Sequence, residues 1–234
     1  MTSKTRRFLG TIGLATGLLL PFANANAQLS NLRELTAQWW QWALSIPTAV
    51  NPMLVGGKGA TSEDCVVGQR GSVWFLAGTF SGGTVVRNCP VPEGTTLFFP
   101  VANSVNFNTP NVCGQGPADL TVSSMRALSA SFVNGLVNLE VAVDDRPAAI
   151  IRVQSEVFAV ALPVDNVFNA PCVAANLGTV PAGIYSPGVD DGYYVLLNPL
   201  RPGSHTLHFH AENPSQGFTL DVTYNLTVVP VSSR

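Results

Sequence analysis

All three histidines of this 234-residue chain lie in one short stretch, "HTLHFHAEN", residues 205–213. His208 and His210 stand two apart, the spacing at which a β-strand points both side chains to the same face. Such a pair can offer two imidazoles to one metal ion, and a carboxylate would complete a ligand set suited to zinc or copper. The segment that follows, "GFTLDVTYNLTVVP", supplies the carboxylate. Its even positions Phe218, Leu220, Val222, Tyr224, Leu226 and Val228 are apolar, and its odd positions Thr219, Asp221, Thr223, Asn225 and Thr227 are polar. This is the pattern of a strand with one face in the core and one in water. The histidine segment alternates in the same way, with Leu207, Phe209 and Ala211 inward and Thr206, His208, His210 and Glu212 outward.

"NPSQG" joins the two strands as a short hairpin loop. Opposed residues of an antiparallel pair share a face, so polar must align with polar. Registers that set His210 opposite Leu220 are excluded, and Asp221 falls across from His208 or His210. The candidate metal set is therefore His208, His210 and Asp221. The same residues also satisfy the ordinary need of a hairpin for a solvated polar face. With no third ligand fixed beside the pair, that plainer reading is favoured and metal binding is its rival.

Catalytic motifs are sparse. "GTFSGG" departs from the G-x-S-x-G nucleophile turn. "VDDG", with Asp190 and Asp191, lacks the alternating oxygen ligands of a calcium loop and reads as a surface turn. No Gly-rich phosphate loop precedes a helix. The balance points to a binding or structural module rather than an enzyme.

The N-terminus bears on where the protein works. Lys4, Arg6 and Arg7 precede an apolar run from Phe8 to Leu20, followed by Pro21 and "ANANAQ". That layout is a secretory signal with cleavage expected after Ala27, and the run is short for a membrane anchor, which needs about 20 apolar residues. "TRRFLG" only partly resembles a twin-arginine export motif. Residues 28–234 are then one domain, working in the periplasm or outside the cell. Without Lys4, Arg6 and Arg7, nine basic residues face fourteen acidic ones, a net charge of about −5. No basic stripe exists to bind nucleic acid or an anionic membrane. The four cysteines, Cys65, Cys89, Cys113 and Cys172, fit two disulfides in an oxidising compartment. Cys65–Cys89 with Cys113–Cys172 is the favoured pairing, because the first pair flanks a compact unit that reads as strand, Gly-rich turn, strand.

Positioning elements follow from periodicity. Leu32, Leu35, Trp39, Trp42 and Ile46 recur at helical spacing between Asn31 and Pro47, which predicts an amphipathic helix over 31–46. Trp40 lies off that stripe, so it is the tryptophan available to contact a ligand or partner. "PADLTVSSMRALSASFVNG" predicts one further short helix. Short apolar runs bounded by Gly and Pro predict strands, whereas residues 163–192 read as a long loop. The expected architecture is mainly β: an antiparallel β-sandwich, immunoglobulin-like or jelly-roll-like, with an N-terminal helix. The expected function is a secreted module that binds an extracellular polymer, surface or partner protein; the alternatives are a metal-binding protein or metal-dependent enzyme using His208, His210 and Asp221, and a subunit or accessory domain of an extracellular assembly.

Overall fold

The computed structural model describes residues 20–54 and 64–230 of the chain. Two five-stranded sheets carry the fold. The first sheet contains β1 (Val73–Phe75), β3 (Thr96–Phe107), β8 (Gly183–Leu197), β6 (Ile151–Gln154) and β7 (Phe158–Leu162). β6 and β7 pair with successive parts of the long strand β8. The second sheet runs β2 (Gly83–Pro92), β10 (Phe218–Val229), β9 (Gly203–Asn213), β4 (Val137–Val143) and β5 (Arg146–Pro147). Phe99, Val101 and Val195 of the first sheet share one apolar cluster with Leu207, Phe209, Val222 and Tyr224 of the second.

The sheets are mixed rather than purely antiparallel, because β1 pairs parallel with β3 and β2 pairs parallel with β10. Alternation of apolar residues reports which face is buried, not which way the neighbouring strand runs. It is therefore silent about strands such as β2 and β10, which lie far apart in sequence.

Three helices complete the described part: α1 (Leu20–Ser45), α2 (Val122–Val133) and α3 (Asn169–Ala174). The expected helix 31–46 is the part of α1 that packs on the first sheet. The helix begins earlier because the preceding "ANANAQ" is rich in Ala, which propagates a helix well. The expected secretory leader lies outside the described residues up to 19, and residues 20–27 form the first turns of α1. Cleavage after Ala27 would leave the sheet-contacting portion, from Leu32 onward, whole. Pro47 ends the helix, and the buried Asn51 amide donates to the orphaned carbonyls of Ala43 and Ile46, both at 2.9 Å.

Burial on α1 extends well beyond the predicted stripe. Leu35, Trp39, Trp40, Trp42 and Leu44 are all buried. Each indole N–H finds an acceptor, Trp39 on the Leu76 carbonyl and Trp42 on the Val67 carbonyl, both at 2.9 Å. α2 starts on Thr121, whose hydroxyl accepts from the Ser124 N–H at 3.1 Å. It covers the other face of β3 and β8, and Asn106 donates to the Ser129 hydroxyl at 2.8 Å.

Both disulfides, Cys65–Cys89 and Cys113–Cys172, are formed, with Cα–Cα separations of 5.9 and 5.5 Å. Among the described residues no helix is long and apolar enough to cross a membrane.

Candidate functional site

Two places gather chemistry: a cleft on β3 and the histidine face of β9 and β10. The cleft begins where β1 stops. β1 runs beside β3 only from Thr96 to Phe98, and among the described residues no strand pairs with that edge beyond Phe98. Pro100, which has no N–H to donate, and a bulge between Pro100 and Ala102 fit an edge released from pairing. Residues 100–105 of β3 form the floor of a cavity of about 260 Å³. Trp39 and Trp40 of α1 wall one side, Phe132 of α2 with Phe218 and Leu220 of β10 the other, and Phe80 and Phe168 come from loops. Among the described residues no charged side chain lines it, and Thr79, Asn103 and Ser104 are the polar side chains that do.

The loop that carries Gly78, Thr79 and Phe80 is held from below. Arg87 of β2 is fully buried and donates to the carbonyls of Ala77 at 3.0 Å, Gly78 at 2.9 Å and Pro52 at 2.6 Å. The Tyr224 hydroxyl donates to the Ala77 carbonyl at 2.9 Å and accepts from the Ala77 N–H at 3.0 Å. One wall of the cleft is thus tied to the second sheet by a cation and a phenol.

Behind the cleft lies a hydrogen-bond chain that ends in a buried acid. Asn103 and Gly192 are opposed across β3 and β8, as are Val105 and Asp190. Asn103, Asp190 and Tyr194 therefore share the face of the sheet that α1 covers. The Asn103 carboxamide N–H donates to the Tyr194 hydroxyl at 2.8 Å, and that hydroxyl donates to Asp190 Oδ2 at 2.7 Å. The Trp40 indole N–H donates to Asp190 Oδ1 at 2.7 Å. Stacking on Phe98, with ring centroids 5.3 Å apart, holds the Tyr194 ring. Gly192 makes the arrangement possible, since a Cβ there would overlap Cβ of Asn103 and come within 2.9 Å of the Tyr194 ring.

Burial pushes the Asp190 carboxyl well above the usual carboxylate range, against the pull of the Trp40 and Tyr194 hydrogen bonds; the neighbouring Asp191 raises it further and Arg126 lowers it. Burial likewise pushes Tyr194 up, and the Asp190 charge adds to that. Asp191, the next residue along the strand, faces the opposite way. It takes a bidentate pair from Arg152 at 3.0 and 2.8 Å and a hydrogen bond from Gln154 at 3.0 Å.

These positions correct one reading of the sequence. Asp190 and Asp191 are not a surface turn, because both are buried within β8, the central strand of the first sheet. Pro187, Gly188, Gly192 and the two acids disguise the strand, yet each acid has its own partners and Gly192 makes room for Asn103. Trp40, the residue expected to contact a ligand or partner, has only 4% of its surface accessible. It lies off the apolar stripe because its partner is a carboxylate, and it meets the cleft as a wall. The one sequence signal for the site was the polar need of an off-stripe tryptophan.

On the other sheet, Asp221 is directly opposite His210, and His208 is opposite Thr223. Asp221 Oδ2 lies 3.3 Å from His208 Nε2 and 3.4 Å from His210 Nδ1, while His210 Nε2 lies 3.0 Å from Glu212 Oε1. The three expected residues therefore meet on one solvated face, with their polar atoms directed at one another. Among the described residues no group of three or more His, Cys, Asp or Glu side chains is placed to hold a metal ion. The third histidine, His205, pairs with Asp144 at 2.7 Å, which raises the imidazole pKa and lowers that of the carboxyl.

Comparison with protein-family models, with curated proteins and with solved structures gave no match.

Proposed function

We propose that this chain is a secreted binding protein, a β-sandwich that receives its ligand in the cleft on the open edge of β3. The observation that carries this reading is the cleft itself: about 260 Å³, walled by aromatic side chains, without a charged side chain among the described residues that line it, and backed by Asn103. Ligand sites are commonly concave and apolar with a few placed polar groups that fix orientation. The volume suits a small neutral molecule, or the terminal unit of a polymer or surface, carrying an apolar body and one hydrogen-bonding end. Secretion is supported by the leader-like N-terminus and by two disulfides, which persist in oxidising compartments.

The test is thermal unfolding of the chain from residue 28 onward against a panel of small neutral alcohols, phenols, amides and ketones. A ligand present at one hundred times its Kd adds about 2.7 kcal/mol of stability. The reading predicts a raised Tm with at least one member, and loss of that rise in Ser104→Phe, which fills the cleft. No rise with any class, or a rise that Ser104→Phe leaves intact, would remove the cleft as the site.

A further inference from the structure

Resting on the binding reading above, we propose that Asn103 is the residue that selects the ligand, and that the proton on Asp190 sets which hydrogen-bonding class it selects. Donors and acceptors can be counted along this chain because the Trp40 and Tyr194 rings are buried and Tyr194 is stacked on Phe98, leaving the Asn103 carboxamide as the group that can turn over. With Asp190 ionised, Oδ1 accepts from Trp40 and Oδ2 accepts from the Tyr194 O–H. The Tyr194 hydrogen is then committed, and its oxygen accepts from the Asn103 N–H. The carboxamide nitrogen is turned to Tyr194, and the carbonyl oxygen is the branch left for the cleft that Asn103 lines. In this state the cleft offers an acceptor and takes ligands with an O–H or N–H.

Adding one proton to Asp190 reverses the chain. An indole N–H can only donate, so Oδ1 stays an acceptor and the proton goes to Oδ2. That O–H now donates to the Tyr194 oxygen. The Tyr194 hydrogen needs a new acceptor, because a buried donor left unpaired is strongly disfavoured. Its ring is stacked on Phe98 and buried, so it cannot turn to water. Asn103 is the neighbour within reach. Turning its carboxamide over brings the carbonyl oxygen to Tyr194 and the NH₂ group to the cleft, with no change of shape. The cleft now offers a donor and admits ligands that can only accept, such as ketones and esters, which the acceptor state leaves unbonded.

Among the described residues the charged and titratable groups around Asp190 are few. Asp191 and Tyr194 lie on its own strand, Arg126 of α2 acts on it through its charge and is itself opposed by Arg33 of α1, and Arg152 of β6 is engaged by Asp191. α1 presents Trp40, and Ser155, between β6 and β7, accepts from the Asp190 backbone N–H at 2.8 Å.

The experiment compares 4-ethylphenol, which donates, with 4′-methylacetophenone, which only accepts, by equilibrium titration from pH 4 to pH 9. Nitrogen-15 spectra of the Trp40 indole and the Asn103 carboxamide are followed over the same range. The expected result is a phenol-to-ketone affinity ratio that falls at least tenfold as pH drops, with both resonances moving at the same midpoint. In Tyr194→Phe the Trp40 resonance still titrates, while the ratio and the Asn103 resonance no longer respond to pH. Asp190→Asn makes the ratio pH-independent. Binding of both probes with a constant ratio in the unmodified protein, or a ratio that still shifts in Tyr194→Phe, would overturn the relay alone. Binding of neither probe at any pH would overturn this proposal, and the cleft reading falls with it where the rest of the panel also leaves Tm unchanged.

Discussion

Replacing Gly192 by Ala separates two ways of reasoning about β8, because they predict opposite signs. Strand interiors disfavour glycine, so propensity alone expects Gly192→Ala to stabilise by about 0.5–1 kcal/mol. The structure expects a loss. The new Cβ overlaps Cβ of Asn103, lies 2.9 Å from Cα of Asn103 and meets the Tyr194 ring at 2.9 Å. Overpacking of a filled core costs about 1–3 kcal/mol. Pushing Asn103 off Tyr194 removes a hydrogen bond, a further loss of about 1 kcal/mol. Against the propensity gain, the net is a destabilisation of about 2 kcal/mol, or roughly 4–8 °C in Tm for a domain of this size. The assay is urea unfolding with an unchanged m-value. Asn103→Ala should not rescue Gly192→Ala, since the overlap is with Cβ itself, whereas Asn103→Gly should recover part of the loss. Equal or higher stability in Gly192→Ala would refute the close approach of β3 and β8 on which the site depends.

The remaining expectations are simpler. Arg87→Leu removes the guanidinium donors from the carbonyls of Ala77, Gly78 and Pro52, leaving the Ala77 carbonyl its Tyr224 donor, and loosens a wall of the cleft. It should cost several kcal/mol, at about 1.5–3 for each bond from a charged group, read by urea unfolding. Replacing His208 and His210 together by Thr should change stability by less than about 1 kcal/mol, because the pair sits on a solvated strand face. Calorimetry with zinc on the same variant tests the rival reading: one ion bound per chain and lost on His210→Thr would make that face a metal site. The His205–Asp144 pair has a defined pH window. Its raised imidazole contributes fully below the ordinary histidine pKa of about 6.5 and fades as pH rises through the folded value; its lowered carboxyl contributes fully above about 3.9 and fades as pH falls through the folded value. The difference between Asp144→Asn and the unmodified protein should therefore be greatest between those limits, and below about 1 kcal/mol because the acid is half exposed.

How much of this was legible in the sequence depended on the range of the interactions. The β9–β10 hairpin was readable because its alternation is local, and face-matching placed Asp221 beside the histidines. The docking stripe of α1 was readable for the same reason. β8 was not, because it is covered on both faces and carries no alternation. Its acids are bonded by residues remote in sequence: Trp40 lies 150 positions from Asp190, and Arg152 lies 39 from Asp191. Nothing local distinguishes a buried, partnered "VDDG" from a surface turn. The cleft was less legible still, since it exists because β1 ends at Phe75 while β3 continues to Phe107. The mixed strand directions were hidden for a similar reason, as a parallel pairing of β2 with β10 leaves no turn signature between them.

The central claim is that the ligand enters the cleft on β3. The most direct test is a nitrogen-15 chemical-shift map of the chain from residue 28 onward, titrated with the panel compound that raises Tm most. The account predicts saturable shifts centred on the indoles of Trp39 and Trp40, the Asn103 carboxamide and the backbone of residues 100–105, absent in Ser104→Phe. Shifts centred instead on the strand face of His208, His210 and Asp221, with the cleft unmoved, would contradict it.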